Sequence, residues 1–212
     1  MIKAVIWDFG GVFTSSPFEA FARYENERGI PVGTIRKINS TNPEANAWAQ
    51  FEQSKVDIDG FDKLFLAEAA VLGHTIPGRD VLPLLAGDFR PDVIEALRRV
   101  KLSGLLTGCI TNNMPHNAAG GTAAGRSLYS QDIMKMFDVV IESAKIGIRK
   151  PNPEIYKLMC KQLGVEPNEC VFLDDLGPNL KPAKAMGMIT IKVESGPQAI
   201  KELEAATGLK LH

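Results

Sequence analysis

Five short apolar runs separated by helical patterns predict an α/β fold with a doubly wound, Rossmann-like parallel sheet. Three observations carry the prediction. Four of the five runs hold few polar residues until their C-terminal ends, which suits strands covered on both faces. Apolar residues recur at helical spacing between them. Strand and helix alternate, which implies right-handed crossovers. The first run, IKAVIWDF (2–9), is stopped by Gly10-Gly11. It is followed by GLLTGCIT (104–111), FDVVIES (137–143), CVFLDD (170–175) and MITIKV (188–193). RPDVIEALRRVKLSG (90–104) places apolar residues at 93, 94, 97 and 100 and stops at Gly104. NPEIYKLMCKQLG (152–164) has Pro153 in its first turn and Gly164 at its end, and NLKPAKAMG (179–187) ends at Gly187.

Residues 14–89 break this rhythm with helical patterns alone: FEAFARYENERG, NAWAQFEQSKV and FDKLFLAEAAVLG. The expected organisation is therefore a core of residues 1–13 and 90–212 with a small helical cap, residues 14–89, inserted after the first strand. Such a cap sits over the C-terminal end of that strand, where open α/β sheets bind ligands, and is a candidate lid. Phe18, Phe21, Trp48, Phe51, Phe61 and Phe65 are spaced to form the cap's own core.

Composition narrows the function. The 212 residues suit one domain with an insert. The 24 basic and 25 acidic side chains give a net charge of −1, which offers no electrostatic basis for binding nucleic acid or an anionic membrane. Cys109, Cys160 and Cys170 lack metal spacing and cannot all pair, so reduced, buried thiols in a cytoplasmic protein are expected. No run approaches the ~18 uninterrupted apolar residues of a membrane span. A charge as early as Asp8 does not fit a signal peptide. Monomer and homodimer both remain open, and His74 and His212 read as surface residues.

The polar residues at the strand ends point to the chemistry. The first run ends at Asp8, the second at Thr111-Asn112, the fourth at Asp174-Asp175, and Lys150 precedes the helix after the third. If the strands are neighbours, three carboxylates, an ammonium and a hydroxyl share one crevice. That set suits a divalent cation and a phosphoryl group, and its hard oxygen donors suit Mg²⁺. Singly, each residue has an ordinary role: Asp8 in a turn, Lys150 solvated, Asp174-Asp175 capping a helix.

DFGGV, TN, KP and DD, in this order, resemble the four motifs of the haloacid dehalogenase superfamily. FDVVIESAKIGIRKPNPEIY, CVFLDDLGPNLKPAKAMGMITIKV and the tail AIKELEAATGLKL are similar to the phosphatase domains of soluble epoxide hydrolases. The resemblance implies a Mg²⁺-dependent phosphatase acting on a small phosphorylated metabolite through an aspartyl-phosphate. Asp8 would be the nucleophile, and Lys150 would neutralise phosphoryl charge. Thr111 and the Asn112 backbone N–H would bind phosphoryl oxygens. Asp8, the Gly10 carbonyl and Asp175 would hold the metal, with Asp174 holding its waters or orienting Lys150. In such phosphatases the residue two after the nucleophile is usually a second Asp, serving as general acid and base. Here it is Gly10, whose expected local role is a tight turn at positive φ.

Three alternatives follow from that glycine. One is a catalytically degenerate binding protein. A second is a 2-haloacid dehalogenase, against which the adjacent acids Asp174-Asp175 count. A third is a phosphonatase using a cap lysine, with Lys37, Lys55 and Lys63 on offer. The Gly- and Ala-rich stretch 115–132 behind Thr111 is a candidate flap, with His116 and Arg126 as its polar candidates.

Overall fold

The computed structural model describes residues 1–85, 87–112 and 124–211, with the backbone alone for Glu19 and residues 124–128. Strands β1 (Ala4–Trp7), β2 (Leu106–Thr111), β3 (Val139–Glu142), β4 (Cys170–Asp174) and β5 (Ile189–Lys192) form one sheet in the order β3-β2-β1-β4-β5. Every pairing is parallel. β1 is therefore central, and the order reverses on either side of it. Successive residues of β1 face opposite ways. Val5 and Trp7 pack with Val93, Leu97 and Val100 of α6 (Pro91–Leu102) and Leu203 of α11 (Gly196–Thr207). Ala4 and Ile6 pack with Ile155, Tyr156 and Met159 of α9 (Pro153–Leu163) and Ala183 of α10 (Gly177–Ala185). Burial on both faces explains why β1 reads as an unbroken apolar run.

The insertion after β1 contains α1 (Phe18–Glu27), α2 (Thr34–Ser40), α3 (Ala47–Glu52), α4 (Ile58–Val71), α5 (Gly78–Val81) and a 3₁₀ turn (Leu82–Leu85). It has its own hydrophobic cluster, in which Phe51, Phe61 and Phe65 are wholly buried, with Phe21 and Trp48 nearly so. Each such side chain contributes about 1.5–3 kcal/mol on burial. Phe18 packs at the edge of this cluster, half-buried, and Arg36 covers its ring. The two connections to the sheet run side by side. Thr14 and Phe89 form an antiparallel bridge, the Ser15 N–H donates to Asp88 O (2.8 Å), and the Arg90 N–H donates to Phe13 O (2.8 Å).

Short helices account for the main differences from the pattern reading. α2 buries Ile35 and Ile38 but is too short to show a periodic stripe. α8 (Ser143–Ile146) continues directly from β3. α7 (Ala124–Met134) overlaps the C-terminal part of the stretch 115–132 expected as a flap, whose residues 115–123 lie outside the described residues. The three cysteines are free and buried. Among the described residues, no helix is long and apolar enough to cross a membrane.

Candidate active site

Parallel pairing assembles the site at the C-terminal ends of β2, β1 and β4. Trp7 stands in register with Leu173, so the next residues, Asp8 and Asp174, are neighbours. The Asp8 N–H continues the ladder by donating to Leu173 O (2.8 Å). Thr111 closes β2, and it and Asp8 are both buried. Lys150 comes from the segment between α8 and α9 and is wholly buried. Asn112 holds its backbone from both sides: Lys150 N–H donates to Asn112 Oδ1 (2.9 Å), and Asn112 Nδ2 donates to Lys150 O (3.0 Å). The Lys150 ammonium lies 2.8 Å from Asp8 Oδ1 and 2.7 Å from Asp174 Oδ2.

Asp174 is itself fixed. The Leu176 N–H donates to its Oδ1 (2.8 Å), and Asn179 Nδ2 lies 3.1 Å from both of its oxygens. Tyr156 holds Asn179 in turn, its hydroxyl donating to Asn179 O (2.7 Å). Of the two roles expected for Asp174, this geometry favours orienting Lys150, because its acceptor sites are taken by protein donors. Asn179 had no role in the sequence reading. A lone Asn in a Gly- and Pro-rich helix start looks like a turn residue, and only its place in the first turn of the helix that follows Asp174 hints otherwise.

The corner holds more negative than positive charge. Ligand oxygens of Asp8, Asp174 and Asp175 lie within 4.8 Å of one another, with Lys150 the cation between two of them. Burial raises the Asp8 carboxyl well above its usual range. Lys150 pulls it back, while Asp174 and Asp175 push it further up. Burial and Asp174 raise Asp175 to about 6 against the opposing pull of Lys150. Burial works to lower the Lys150 ammonium, but Asp174 and Asp8 outweigh it and hold it above its ordinary value. A divalent cation fits this donor set. It would offset the excess negative charge, and Asp8 and Asp175 are the carboxylates with oxygen to give.

The two glycines after Asp8 play different parts. Gly11, not Gly10, takes positive φ (+74°). A Cβ on Gly11 would overlap the Asp175 carboxylate, so both conformation and space require glycine there. The turn closes with Phe13 N–H on Phe9 O (2.9 Å) and Gly11 N–H on Thr14 Oγ1 (3.2 Å). The expectation that Gly10 supplies the left-handed residue is thus corrected. Gly10 is exposed, and a Cβ built on it meets nothing within 4 Å among the described residues. The backbone at Gly10 accommodates a side chain, and the sequence provides none.

The insertion touches this end of the sheet as well. Ser143 Oγ donates to Glu52 O (2.9 Å), and Glu52 Oε2 lies 2.6 Å from Arg149 Nε. Burial raises the Glu52 carboxyl to about 7, against the pull of Arg149 and Lys150. Arg90, at the other connection, donates from Nη1 to Gly11 O (3.1 Å). Glu52, Arg149 and Arg90 carried no motif in the sequence, because their partners are distant along the chain. Lys37, Lys55 and Lys63 are exposed on the insertion, and His74 is half-buried. His116, His212 and the side chain of Arg126 lie outside the described residues.

Fold and corner define a class, and comparison with known proteins agrees. The family model of haloacid dehalogenase-like hydrolases matches residues 2–187, and the chain belongs to that family of hydrolases. Among relatives, it is 35% identical over 215 residues to acyl-CoA dehydrogenase family member 10 of Mus musculus, covering 99% of this chain and 20% of that protein. It is 39% identical over 218 residues to mouse bifunctional epoxide hydrolase 2, covering 98% of this chain and 39% of the relative. The chain thus spans well under half the length of both. It is also 30% identical over 210 residues to sesquiterpene phosphatase astK of Aspergillus oryzae, covering 97% of each. A haloacid dehalogenase family enzyme of Bacteroides thetaiotaomicron, solved with magnesium and inorganic phosphate, superposes with a TM-score of 0.61 at 17% identity. The match covers 92% of this chain and 96% of that one, and at that identity the likeness shows the fold.

Proposed function

We propose that the chain is a phosphoric monoester hydrolase that transfers a phosphoryl group from a small metabolite to Asp8 and then to water, with residues 14–89 as its cap. The observation that carries the reading is a buried nucleophile with a buried counter-ion: Asp8 Oδ1 lies 2.8 Å from the Lys150 ammonium. Asp8 Oδ1 also accepts from Phe9 N–H (2.7 Å), which leaves Oδ2 to attack. In the first step Oδ2 forms a bond to phosphorus while the bond from phosphorus to the ester oxygen breaks, and that oxygen leaves with the electron pair. In the second, a water oxygen forms a bond to phosphorus while the Oδ2–phosphorus bond breaks, its electron pair returns to the Asp8 carboxylate, and the water proton passes to solvent as inorganic phosphate leaves. Lys150 steadies negative charge throughout. Thr111, at the end of β2, would donate its hydroxyl to a phosphoryl oxygen, beside the Asn112 backbone N–H. The oxygen donors suit Mg²⁺, which Asp8, Asp175 and the Gly10 carbonyl would hold. The cation would neutralise phosphoryl charge and so admit an anionic substrate to an acidic corner.

Gly10 sharpens the substrate class. General acid catalysis contributes about 10²–10⁴-fold, and position 10 has no acid to supply it. The preferred substrates are phosphates whose leaving groups depart without a proton: anomeric, acyl or aryl phosphates. The same glycine favours the second reading, a protein that binds a phosphorylated ligand without turnover.

One experiment separates the two readings. Phosphorylated metabolites and aryl phosphates are screened with Mg²⁺, with and without chelator, and the protein is treated with beryllium fluoride. The hydrolase reading expects chelator-sensitive phosphate release and a fluoroberyllate bonded to Asp8. Binding of phosphorylated ligands with neither result would establish the second reading. The haloacid dehalogenase alternative expects halide release without Mg²⁺.

A further inference from the structure

The segment that delivers Lys150 is tied to the cap. Ser54 Oγ of the cap donates to Ala144 O (2.9 Å), and Ser143 Oγ donates back to Glu52 O (2.9 Å). At the other end of the segment, Arg149 Nη1 donates to Pro43 O (2.6 Å), and its Nε lies 2.6 Å from Glu52 Oε2. The side chains of Glu52 and Arg149 are only 15% and 18% exposed, so water screens this pair far less than a surface pair. The next residue, Lys150, is clamped by Asn112 on the core side. Arg149 and Lys150 are therefore adjacent residues held by different parts of the molecule, the first by the cap and the second by the site.

We propose that Glu52 is a positioning residue for Lys150: through Arg149 it fixes the segment that aims the Lys150 ammonium between Asp8 and Asp174. The proposal rests on the reading that Lys150 serves phosphoryl transfer at Asp8. The ammonium must stay within 2.8 Å of two carboxylates on two different strands, and a shift of about 1 Å in such a site can cost 10²-fold in rate. The described partners of Glu52 are Arg149, through its carboxylate, and Ser143, through its backbone carbonyl. Its effect comes from the anchoring of its neighbour's backbone.

The test uses the full chain with Mg²⁺ and p-nitrophenyl phosphate, comparing wild type, Glu52→Gln, Arg149→Lys and the double variant. Amide exchange at Lys150 N–H is measured by NMR in each. Glu52→Gln should lower kcat about tenfold, change KM less than about twofold and speed Lys150 exchange about tenfold. The double variant should be no worse than Glu52→Gln, because both changes break one linkage. Arg149→Lys keeps the charge but cannot span Pro43 O and Glu52 together, and should fall in between. The proposal is overturned if kcat stays within twofold, if the losses multiply in the double variant, or if kcat falls while Lys150 exchange is unchanged. Should Glu52→Gln not fold, Arg149→Lys is judged by the same criteria. If wild type neither hydrolyses phosphates nor binds fluoroberyllate at Asp8, the hydrolase reading fails, and Lys150 exchange alone decides the positioning role.

Discussion

Two places beside Asp8 are built in opposite ways. Around Lys150 nearly every polar atom is committed: to Asp8, to Asp174, and through Asp174 to Asn179 and the Leu176 N–H. At Gly10, two residues after Asp8, there is no side chain, and a Cβ there would meet none of the described residues within 4 Å. The first place is what attack on phosphorus needs, a desolvated carboxylate with a fixed cation. The second is where a proton donor for the leaving group would stand. On the proposed reading, the chain carries the attacking half of a phosphoryl-transfer site without the proton-delivering half at that position.

The largest effect should come from the built half. Asp8→Asn removes the proposed nucleophile and should lower turnover by about 10⁴-fold or more while leaving thermal unfolding near wild type. Turnover close to wild type would break the comparison at its root. Lys150→Met leaves Asp8 and Asp174 buried without their cation. It should cost about 3–5 kcal/mol in denaturant unfolding, since half of a buried pair is worse than none.

The contribution of the insertion appears as a pH effect. Glu52 is raised from 4.5 in the unfolded chain to about 7 in the fold, so the folded state holds the proton more tightly between those values. Stability should fall as pH rises through that window, by at most about 3 kcal/mol from this group. Glu52→Gln should remove that part of the fall. Unfolding curves at pH 4.5 and 7.5 for both proteins check the sign.

At the empty position the expected change is a gain. At Gly10→Asp the new Cβ meets none of the described residues within 4 Å, and the position needs no left-handed backbone. It should raise turnover of alkyl phosphates by up to about 10²-fold. Gly11→Asp, one residue later, should not fold normally, because the side chain would collide with Asp175. The smallest effect is expected at Asn179, where Asn179→Ala leaves Asp174 short of one donor and should cost about 1–2 kcal/mol of stability.

The sequence shows the built half well and its supports poorly. Asp8, Thr111, Asp174 and Asp175 end apolar runs, and a carboxylate at the end of a buried strand stands out. Lys150 is legible through the Lys-Pro pair and the helix start that follows. Asn179, Glu52 and Arg149 are not, because each owes its place to contacts between segments far apart in the chain. Gly10 and Gly11 look alike as letters. Only the backbone shows that the left-handed turn and the packing against Asp175 belong to the second. In the insertion, the aromatic spacing of Phe51, Phe61 and Phe65 marks its core, whereas α2, with two buried isoleucines in seven residues, lacks the length to show a period.

The dependence of rate on leaving group tests the central claim most directly. A series of phosphate monoesters of graded leaving-group pKa, from aryl to alkyl, is hydrolysed by wild type and by Gly10→Asp under single-turnover conditions, where chemistry limits the rate. With no acid at position 10, wild type should slow steeply as leaving-group pKa rises, and Gly10→Asp should flatten that slope. A flat wild-type profile would contradict the account, because some other group would then be delivering the proton.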